Sequence, residues 1–301
     1  MTPEMPTDTA PVVVGVDGTT ASRGAARWAA AVADKFGAPL EIVNGRHATG
    51  RPLTDAAAAL LAAAVTAQRE SAETMLKAVE EEIRGDFGSL NITTILSDEP
   101  TDVLLTERSR HARLIVLGSE DVTPAAALMI GSTTLAVSAH SACPVIAWRG
   151  SSAVPTDQPV VLGVDCEHTG PNAFRAAFEF ANRFGLGLNA VHAWSAFRPP
   201  VDVITPYGVD WDALEALRWQ CLLNVLDPWT ELYPNVVVTL FVETENAGKA
   251  LMHHAVDSQL VVVGNRGRNA LAGALLGSTS LNLLHHCPVP VMVCHNVTEE
   301  L

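Results

Sequence analysis

The sequence predicts an α/β protein made of two tandem copies of one domain, each a five-stranded parallel sheet with helices on both faces. The length of 301 residues suits two domains of about 150 residues each. The composition, 48% hydrophobic, 17% charged and 5% aromatic, is typical of Ala-, Val- and Leu-rich α/β packing. The two halves also match: PVVVGVDG, beginning at Pro11, corresponds to PVVLGVDC, beginning at Pro159, and Gly118 corresponds to Gly264. Self-similarity of this kind indicates a duplicated domain.

In the first copy, predicted strands and helices alternate along the chain. Residues 12–16 are a valine-rich apolar strand, and residues 22–36 have the apolar spacing of a helix. A second strand at 40–43 precedes a long Ala-rich helix at 55–84, which ends near Gly85. The remaining predicted elements are a strand at 91–96, a helix at 101–111, a strand at 114–117, a helix at 133–140 and a strand at 145–148.

The second copy repeats this order. Its predicted strands lie at 160–164, 188–192, 236–242, 259–263 and 291–294, and its predicted helices at 172–184, 211–226, 247–256 and 278–286. Such βαβ alternation predicts a parallel, doubly wound sheet. Ligands of these sheets bind outside the carboxyl ends of the strands.

The domain boundaries follow from composition. Residues 1–10 are polar and Pro-rich, and we expect them to be disordered. The first domain spans 11–149 and the second 159–295, and the Gly-, Ser- and Pro-containing segment 150–158 between them is typical of a linker.

The segment after the predicted strand 259–263 has the features of a phosphate-binding loop. Gly264 ends the strand, two residues separate it from Gly267, and nine more separate Gly267 from Gly277, which Ser278 and Thr279 follow. Glycines permit positive φ and close approach of a ligand to backbone N–H groups. The start of the next helix adds free N–H groups, a hydroxyl and the positive end of a helix dipole. The sequence therefore predicts an anion site here, although each part alone is also a common turn or capping device.

This spacing closely resembles the glycine signature of the ATP-binding branch of the universal stress protein family, and the resemblance covers nearly all of residues 11 to 295. The resemblance implies Rossmann-like domains of the adenine-nucleotide-binding type. It also implies that the first-strand aspartate and the backbone at the end of the second strand contact adenosine. The implied ATP site, with Mg²⁺ accompanying the nucleotide, consists of Asp165, His192, Ala193, Gly264, Gly267, Gly277, Ser278 and Thr279. We add Arg266 and Arg268 to the predicted ATP site because they place positive charge beside the loop.

The two copies differ in their loops. Asp121, preceded by Glu120, stands in the first copy where the second has Gly267. A carboxylate beside a polyanion costs on the order of 1 kcal/mol or more, so we expect the first copy to bind ATP weakly or not at all, to take a different ligand, or to hold a bridging metal ion. Its possible weak site consists of Asp17, Gly118, Asp121, Gly131, Ser132 and Thr133. The second copy departs as well, because Cys166, Glu167 and His168 follow Asp165.

Charge and cysteine usage exclude several classes of function. The formal net charge of −14 disfavours nucleic acids and anionic membranes as partners. The five cysteines form no CxxC pair, so the sequence predicts neither a disulfide framework nor a zinc site. The chain begins without an apolar signal sequence, and we expect a cytoplasmic protein. Adjacent histidines at 253–254 and 285–286 point in different directions on a helix and do not predict a metal site.

The leading hypothesis is an ATP-binding stress or growth regulator that binds nucleotide mainly through its second domain. We expect a homodimer formed through the edges of the last strands, with an unidentified protein partner possible, as the resemblance implies. Two alternatives remain open: a slow ATP hydrolase or adenylyl-transfer enzyme, and a scaffold that needs no nucleotide. No general base stands out beside the loop, the nearest candidates being Glu245 and His254.

Overall fold

The computed structural model describes residues 10–45, 55–119, 131–150, 152–194, 210–265 and 276–295, with no side chains for 55–62. The chain divides into two compact units, Met1–Pro155 and Thr156–Leu301. Each unit is a parallel sheet with helices, which confirms the predicted fold class. No helix within the described ranges is both long and apolar enough to cross a membrane.

The described part of the first unit contains five parallel strands in the order β3-β2-β1-β4-β5. Its elements are β1 (Val12–Gly15), α1 (Thr20–Phe36), β2 (Leu40–Gly45), α2 (Asp55–Asp86), β3 (Ile92–Ser97), α3 (Thr101–Arg108), β4 (Leu114–Gly118), α4 (Ser132–His140) and β5 (Val145–Trp148). Helices α1 and α2 contact each other, and so do α3 and α4, which gives two helical layers.

The described part of the second unit repeats this arrangement, in the order β8-β7-β6-β9-β10. Its elements are β6 (Val160–Gly163), α5 (Pro171–Phe184), β7 (Leu188–Ala193), α6 (Trp211–Leu232), β8 (Val238–Glu243), α7 (Ala247–Ala255), β9 (Leu260–Gly264), α8 (Ser278–His286) and β10 (Val291–Cys294). We call the side of the sheet where the strands end the carboxyl edge. Strand β6 lies between β7 and β9, so a ligand that spans those two strands must cross the end of β6.

The central strands form because β-branched residues are buried on both faces of each sheet. Val13 and Val261 are fully buried. The helices that follow β1 and β6 end in the same way, because Gly37 and Gly185 adopt left-handed backbone angles with φ of 65° and 70°. Glycine is favoured at this C-cap position since it has no Cβ to clash.

Helix α6 extends further than the sequence predicted. The predicted end of this helix is residue 226, but the helix continues to Leu232 with Pro228 inside it. Proline in a helix interior costs about 3 kcal/mol. Stacking offsets this cost, because the Trp229 ring lies 5.7 Å from Phe174 and 6.2 Å from Phe178 on α5. Tertiary contacts therefore overrule the local helix-breaking signal.

The two units differ where the first helix begins. In the first unit, Gly18 has a left-handed φ of 86°, Thr19 caps the helix, and α1 starts at Thr20. In the second unit, Cys166 stands at the position of Gly18, and a side chain rarely adopts such a φ. The chain there forms a turn, and α5 starts only at Pro171, later than the position that matches Thr20.

Candidate functional site

A cleft opens at the carboxyl edge of the second unit. It holds about 680 Å³ of empty space, a volume that includes the part open to solvent. The described residues that line it are Gly163, Val164, Asp165, His168, Thr169, Val191, Ala193, Ala247, Leu251, Val263, Gly264, Gly277, Ser278, Thr279 and Ser280. The cleft thus brings together six of the residues that the sequence predicted as a site: Asp165, Ala193, Gly264, Gly277, Ser278 and Thr279.

Asp165 is held in place by the turn that follows β6. Its backbone N–H donates to the Thr169 hydroxyl at 2.7 Å, and its Oδ1 accepts from the Glu167 N–H at 3.2 Å. The His168 Nδ1 lies 3.2 Å from the same Oδ1. These contacts fix the carboxylate at the mouth of the cleft, where it can accept hydrogen bonds from a ligand.

Gly264, at the predicted phosphate end of the cleft, does not adopt an unusual backbone angle. The expectation of positive φ at Gly264 is wrong, because the described glycines with positive φ are Gly18, Gly37, Gly150 and Gly185. A Cβ on Gly264 would lie 3.9 Å from the Ala173 Cβ and 4.0 Å from the Gly170 nitrogen. A Cβ on Gly264 would thus make only ordinary van der Waals contacts with α5, and Gly264 itself lines the cleft.

The first backbone donor of the loop is already used. The Gly277 N–H donates to the Asn265 Oδ1 at 3.0 Å, so the expectation that this group is free is wrong. Asn265 in turn donates its own N–H to the Cys294 carbonyl at 2.7 Å, and its amide Nδ2 lies 3.2 Å from the His295 Nδ1. This network ties the end of β9 to the start of α8. It was missed because the sequence signature contains no Asn265.

Helix N-termini give the cleft a positive character. Gly277 precedes α8, and no side chain among the described residues caps that helix. Gly170 precedes α5 in the same uncapped manner, although Gly170 itself does not line the cleft. Ala247, the first residue of α7, lines the cleft, and the Asn246 side chain caps that helix by accepting from the Gly248 N–H. A helix N-terminus carries about half a positive charge, and where no side chain caps it, its first N–H groups have no intrahelical partner. The arrangement favours an anionic ligand group such as phosphate.

Comparison with known proteins agrees with this geometry. The model of the universal stress protein family matches residues 9–149 and 158–295. The chain belongs to the universal stress protein family. Both units are universal stress domains, which confirms the resemblance noted in the sequence.

The similar family members have the same tandem organisation. Universal stress protein Rv2005c of Mycobacterium tuberculosis is 33% identical over 290 residues, which cover 94% of this chain and 96% of that protein. A universal stress protein of Mycolicibacterium smegmatis is 30% identical over the same shares. A crystal structure of a universal stress protein from Archaeoglobus fulgidus has a TM-score of 0.70 at 19% identity, covers 95% of this chain and 98% of its own, and shows the shared fold.

Within this universal stress protein, His192 has a role that the sequence did not reveal. The residue is buried and does not line the cleft, so ligand contact through its backbone stays a prediction. Its Nδ1 donates to the Val164 carbonyl at 2.9 Å. In the first unit, the Asn44 Nδ2 donates to the Val16 carbonyl at 2.7 Å. Both copies therefore brace the loop after the first strand with a polar side chain near the end of the second strand.

Four of the predicted residues lie outside the described residues. They are Arg266, Gly267 and Arg268 of the second unit and Asp121 of the first. Their contributions to phosphate binding or to its loss stay predictions.

The first unit places its aspartate similarly but surrounds it differently. The Asp17 Oδ1 accepts from the Thr19 hydroxyl at 2.7 Å and from the Thr19 N–H at 3.0 Å. Burial raises the pKa of Asp17, but the hydrogen bonds from Thr19, with Ser22 and the backbone assisting, outweigh burial and lower it overall. A Cβ on Gly118 would lie 2.6 Å from the Ala21 backbone, so the first turn of α1 is packed against the end of β4.

The phosphate end of the first unit is described only in part. Gly131 precedes α4 with no side-chain cap among the described residues, and α4 begins at Ser132 and Thr133. A Cβ on Gly131 would meet only the Thr134 hydroxyl, at 3.9 Å. This helix start is therefore open, in contrast to the close packing at Gly118.

The candidate bases lie away from the cleft. The Glu245 carboxylate lies 3.2 Å from the Lys249 Nζ, and the His254 Nε2 lies 2.9 Å from the Glu243 Oε1. Neither Glu245 nor His254 lines the cleft. Within the described ranges, no group of three or more His, Cys, Asp or Glu side chains could hold a metal ion.

The Cys166 thiol, beside the cleft, has low reactivity at neutral pH. Burial, together with the neighbouring Cys221 thiol, raises the pKa of Cys166 to about 12, although Arg218 opposes the shift. The thiolate is the reactive form, so Cys166 reacts slowly at neutral pH.

Proposed function

We propose that this universal stress protein binds ATP in the cleft of the second unit and acts as a nucleotide-dependent regulator. One observation carries the proposal: the cleft joins a fixed carboxylate, Asp165, to an uncapped helix start at Gly277. The carboxylate suits the hydrogen-bond donors of adenosine, and the helix start suits a phosphate. Gly264 between them leaves room for the backbone to approach the ligand.

In this proposal, ATP lies along the carboxyl edge of the second unit, with its long axis running from β7 to β9. The phosphates would lie over the β9 side, against α8, and the base over the β7 side, beside Ala193. Mg²⁺ would be held by phosphate oxygens and water, because these are the ligands it usually keeps at nucleotide sites. Arg266 and Arg268 would add positive charge at the phosphate end.

We propose a binding protein rather than a fast enzyme. Glu245 and His254, the two bases considered from the sequence, are engaged with Lys249 and Glu243 outside the cleft. Because neither of these two bases lines the cleft, hydrolysis at the γ-phosphate would be slow. The proposal also includes a homodimer formed through last-strand edges and a cytoplasmic location, and a sequence with five cysteines but no CxxC pair suits a reducing compartment.

The test counts bound nucleotide in copy-matched variants. Nucleotide that co-purifies with the wild type is released by heat, identified by chromatography and counted per chain, and titration calorimetry with Mg-ATP gives the affinity. Gly277→Asp places a carboxylate at the start of α8, and Gly131→Asp makes the same change at the start of α4. Aspartate is a favoured N-cap residue, so both variants should fold.

We expect about one ATP per chain, with binding lost in Gly277→Asp and kept in Gly131→Asp. Two ATP per chain, with one lost in each variant, would show that the first copy binds as well. An absence of ATP, with no heat of binding up to low millimolar Mg-ATP, would refute the proposal in favour of a nucleotide-independent scaffold. Steady release of phosphate that stops in Gly277→Asp would favour the slow hydrolase.

A further inference from the structure

An imidazole contacts the aspartate of the second unit, whereas a hydroxyl contacts the matching aspartate of the first. In the first unit, the Thr19 hydroxyl donates to the Asp17 Oδ1 at 2.7 Å. In the second, the corresponding partner of Asp165 is His168, whose Nδ1 lies 3.2 Å from Oδ1. The His168 side chain lines the cleft and is 42% exposed, so its ring is accessible to a ligand.

The contact with Asp165 determines what the ring can offer. A carboxylate only accepts hydrogen bonds, so the His168 Nδ1 must carry the proton that the contact requires. In the neutral imidazole, the other nitrogen, Nε2, then has a lone pair and acts as an acceptor. An acceptor at the cleft favours a ligand group that donates, such as a hydroxyl.

The position of His168 along the edge indicates which part of a nucleotide it meets. Neighbouring strands are about 4.8 Å apart, so the ends of β7 and β9 are separated by about 10 Å, with β6 midway. A nucleotide with its base beside Ala193 and its phosphates against Gly277 therefore places its sugar over the end of β6. Asp165 and His168 follow β6 and lie at that midpoint.

We propose that the His168 Nε2 accepts a hydrogen bond from a ribose hydroxyl, so that His168 selects ribonucleotides over deoxyribonucleotides. This inference rests on the proposed nucleotide binding. A single hydrogen bond of this kind changes affinity by about fivefold to tenfold. His168 is thus a specificity-determining residue that the first copy lacks.

The test is a cycle of ligands and variants. Dissociation constants of ATP, 2′-deoxy-ATP, 3′-deoxy-ATP and cyclic 3′,5′-AMP are measured by calorimetry at pH 8. The proteins are the wild type, His168→Ala and the copy-matched control Thr20→Ala. Thr20 occupies the position of His168 in the first unit and is exposed. Thermal unfolding of both variants checks that the exposed substitutions leave the fold intact.

We expect the wild type to bind one of the two deoxy analogues about fivefold to tenfold more weakly than ATP. His168→Ala should weaken ATP binding by the same factor and should not weaken binding of that analogue further, because the substitution and the missing hydroxyl remove the same hydrogen bond. If the 3′-hydroxyl is the donor, cyclic 3′,5′-AMP should be insensitive to His168→Ala. Thr20→Ala should bind all four ligands with the same dissociation constants as the wild type.

Two results would overturn the inference while leaving the proposed function in place. The first is equal binding of ATP and both deoxy analogues by the wild type. The second is an equal loss of affinity for ATP and both deoxy analogues in His168→Ala, which would mean that His168 only positions Asp165. No binding of ATP by the wild type would refute the proposed function, and this inference with it.

Discussion

A single methyl group should distinguish the two copies at the end of their fourth strands. Gly118 and Gly264 occupy the same place in the repeat. A Cβ on Gly118 would lie 2.6 Å from the carbonyl carbon and oxygen of Ala21 and 2.7 Å from the Ser22 nitrogen. A Cβ on Gly264 would meet nothing closer than the Ala173 Cβ, at 3.9 Å. We therefore predict that Gly118→Ala destabilises its unit and that Gly264→Ala does not.

The size of the effect follows from these distances. Non-bonded carbon atoms prefer separations of about 3.5–4.0 Å, so the backbone of α1 would have to move by about 1 Å to accept the methyl group on Gly118. Overpacking of this kind costs about 1–3 kcal/mol. A loss of about 2 kcal/mol lowers Tm by roughly 4–8 °C for a domain of this size. For Gly264→Ala the change should stay within about 0.5 kcal/mol. Neither glycine has positive φ, so backbone strain does not bias the comparison.

Thermal unfolding followed by circular dichroism measures the shift, and hydrogen exchange locates it. In Gly118→Ala, exchange should accelerate in α1, because its first turn is displaced, while the amides of α5 keep their wild-type rates. Equal loss of stability in the two variants, or a greater loss in Gly264→Ala, would refute the reasoning. It would mean that the start of α1 is no closer to its strand end than the start of α5.

Three further predictions test the loops. Thr19→Val should lower the free energy of unfolding by about 1–2 kcal/mol at pH 7. The fold lowers the pKa of Asp17 from 3.8, so the part of the lost stability that depends on its carboxylate should disappear as the pH falls through the folded-state pKa. Urea titrations at several pH values measure this, and a loss of stability that does not change with pH would contradict the prediction. Asn265→Asp keeps an acceptor 3.0 Å from the Gly277 nitrogen but adds a negative charge, so calorimetry should show ATP affinity reduced about tenfold or more and adenosine affinity unchanged. Alkylation of Cys166, followed by mass spectrometry, should accelerate about tenfold per pH unit without a plateau below pH 11, since its pKa is about 12; a plateau near pH 9 would show an ordinary thiol.

The sequence predicted the parts of the site that depend on strand order. Asp165 and Gly264 are distant in the chain, but each follows a parallel strand, so the doubly wound fold places them at one edge. Gly277 joins them because it starts the next helix. The repeat made these assignments secure, since a matching residue stands at each position of the first copy.

Other features depend on contacts that local patterns do not encode. The extension of α6 past Pro228 requires the rings of Phe174 and Phe178 on another helix. The hydrogen bond from the Gly277 N–H to the Asn265 Oδ1 joins the start of α8 to the end of β9, and hydrophobic periodicity does not predict such a contact. The hydrogen bond from His192 to the Val164 carbonyl could have been predicted from the sequence. Asn44, at the matching position of the first copy, is likewise a polar residue in an otherwise apolar strand, and it makes the matching bond to Val16.

The difference between the copies begins with one backbone requirement. Gly18 adopts a φ of 86° that lets the chain turn at once into α1 and pack that helix against Gly118. A residue with a side chain, such as Cys166, rarely adopts this φ, because the Cβ makes the conformation strained. The chain of the second unit therefore turns over more residues before α5 begins. The longer turn carries His168 into the cleft and leaves Gly264 accessible. The replacement of that glycine therefore accompanies two differences in the second unit: the more open surroundings of Gly264 and the His168 imidazole at the cleft. The asymmetry proposed here therefore does not depend on Asp121 alone.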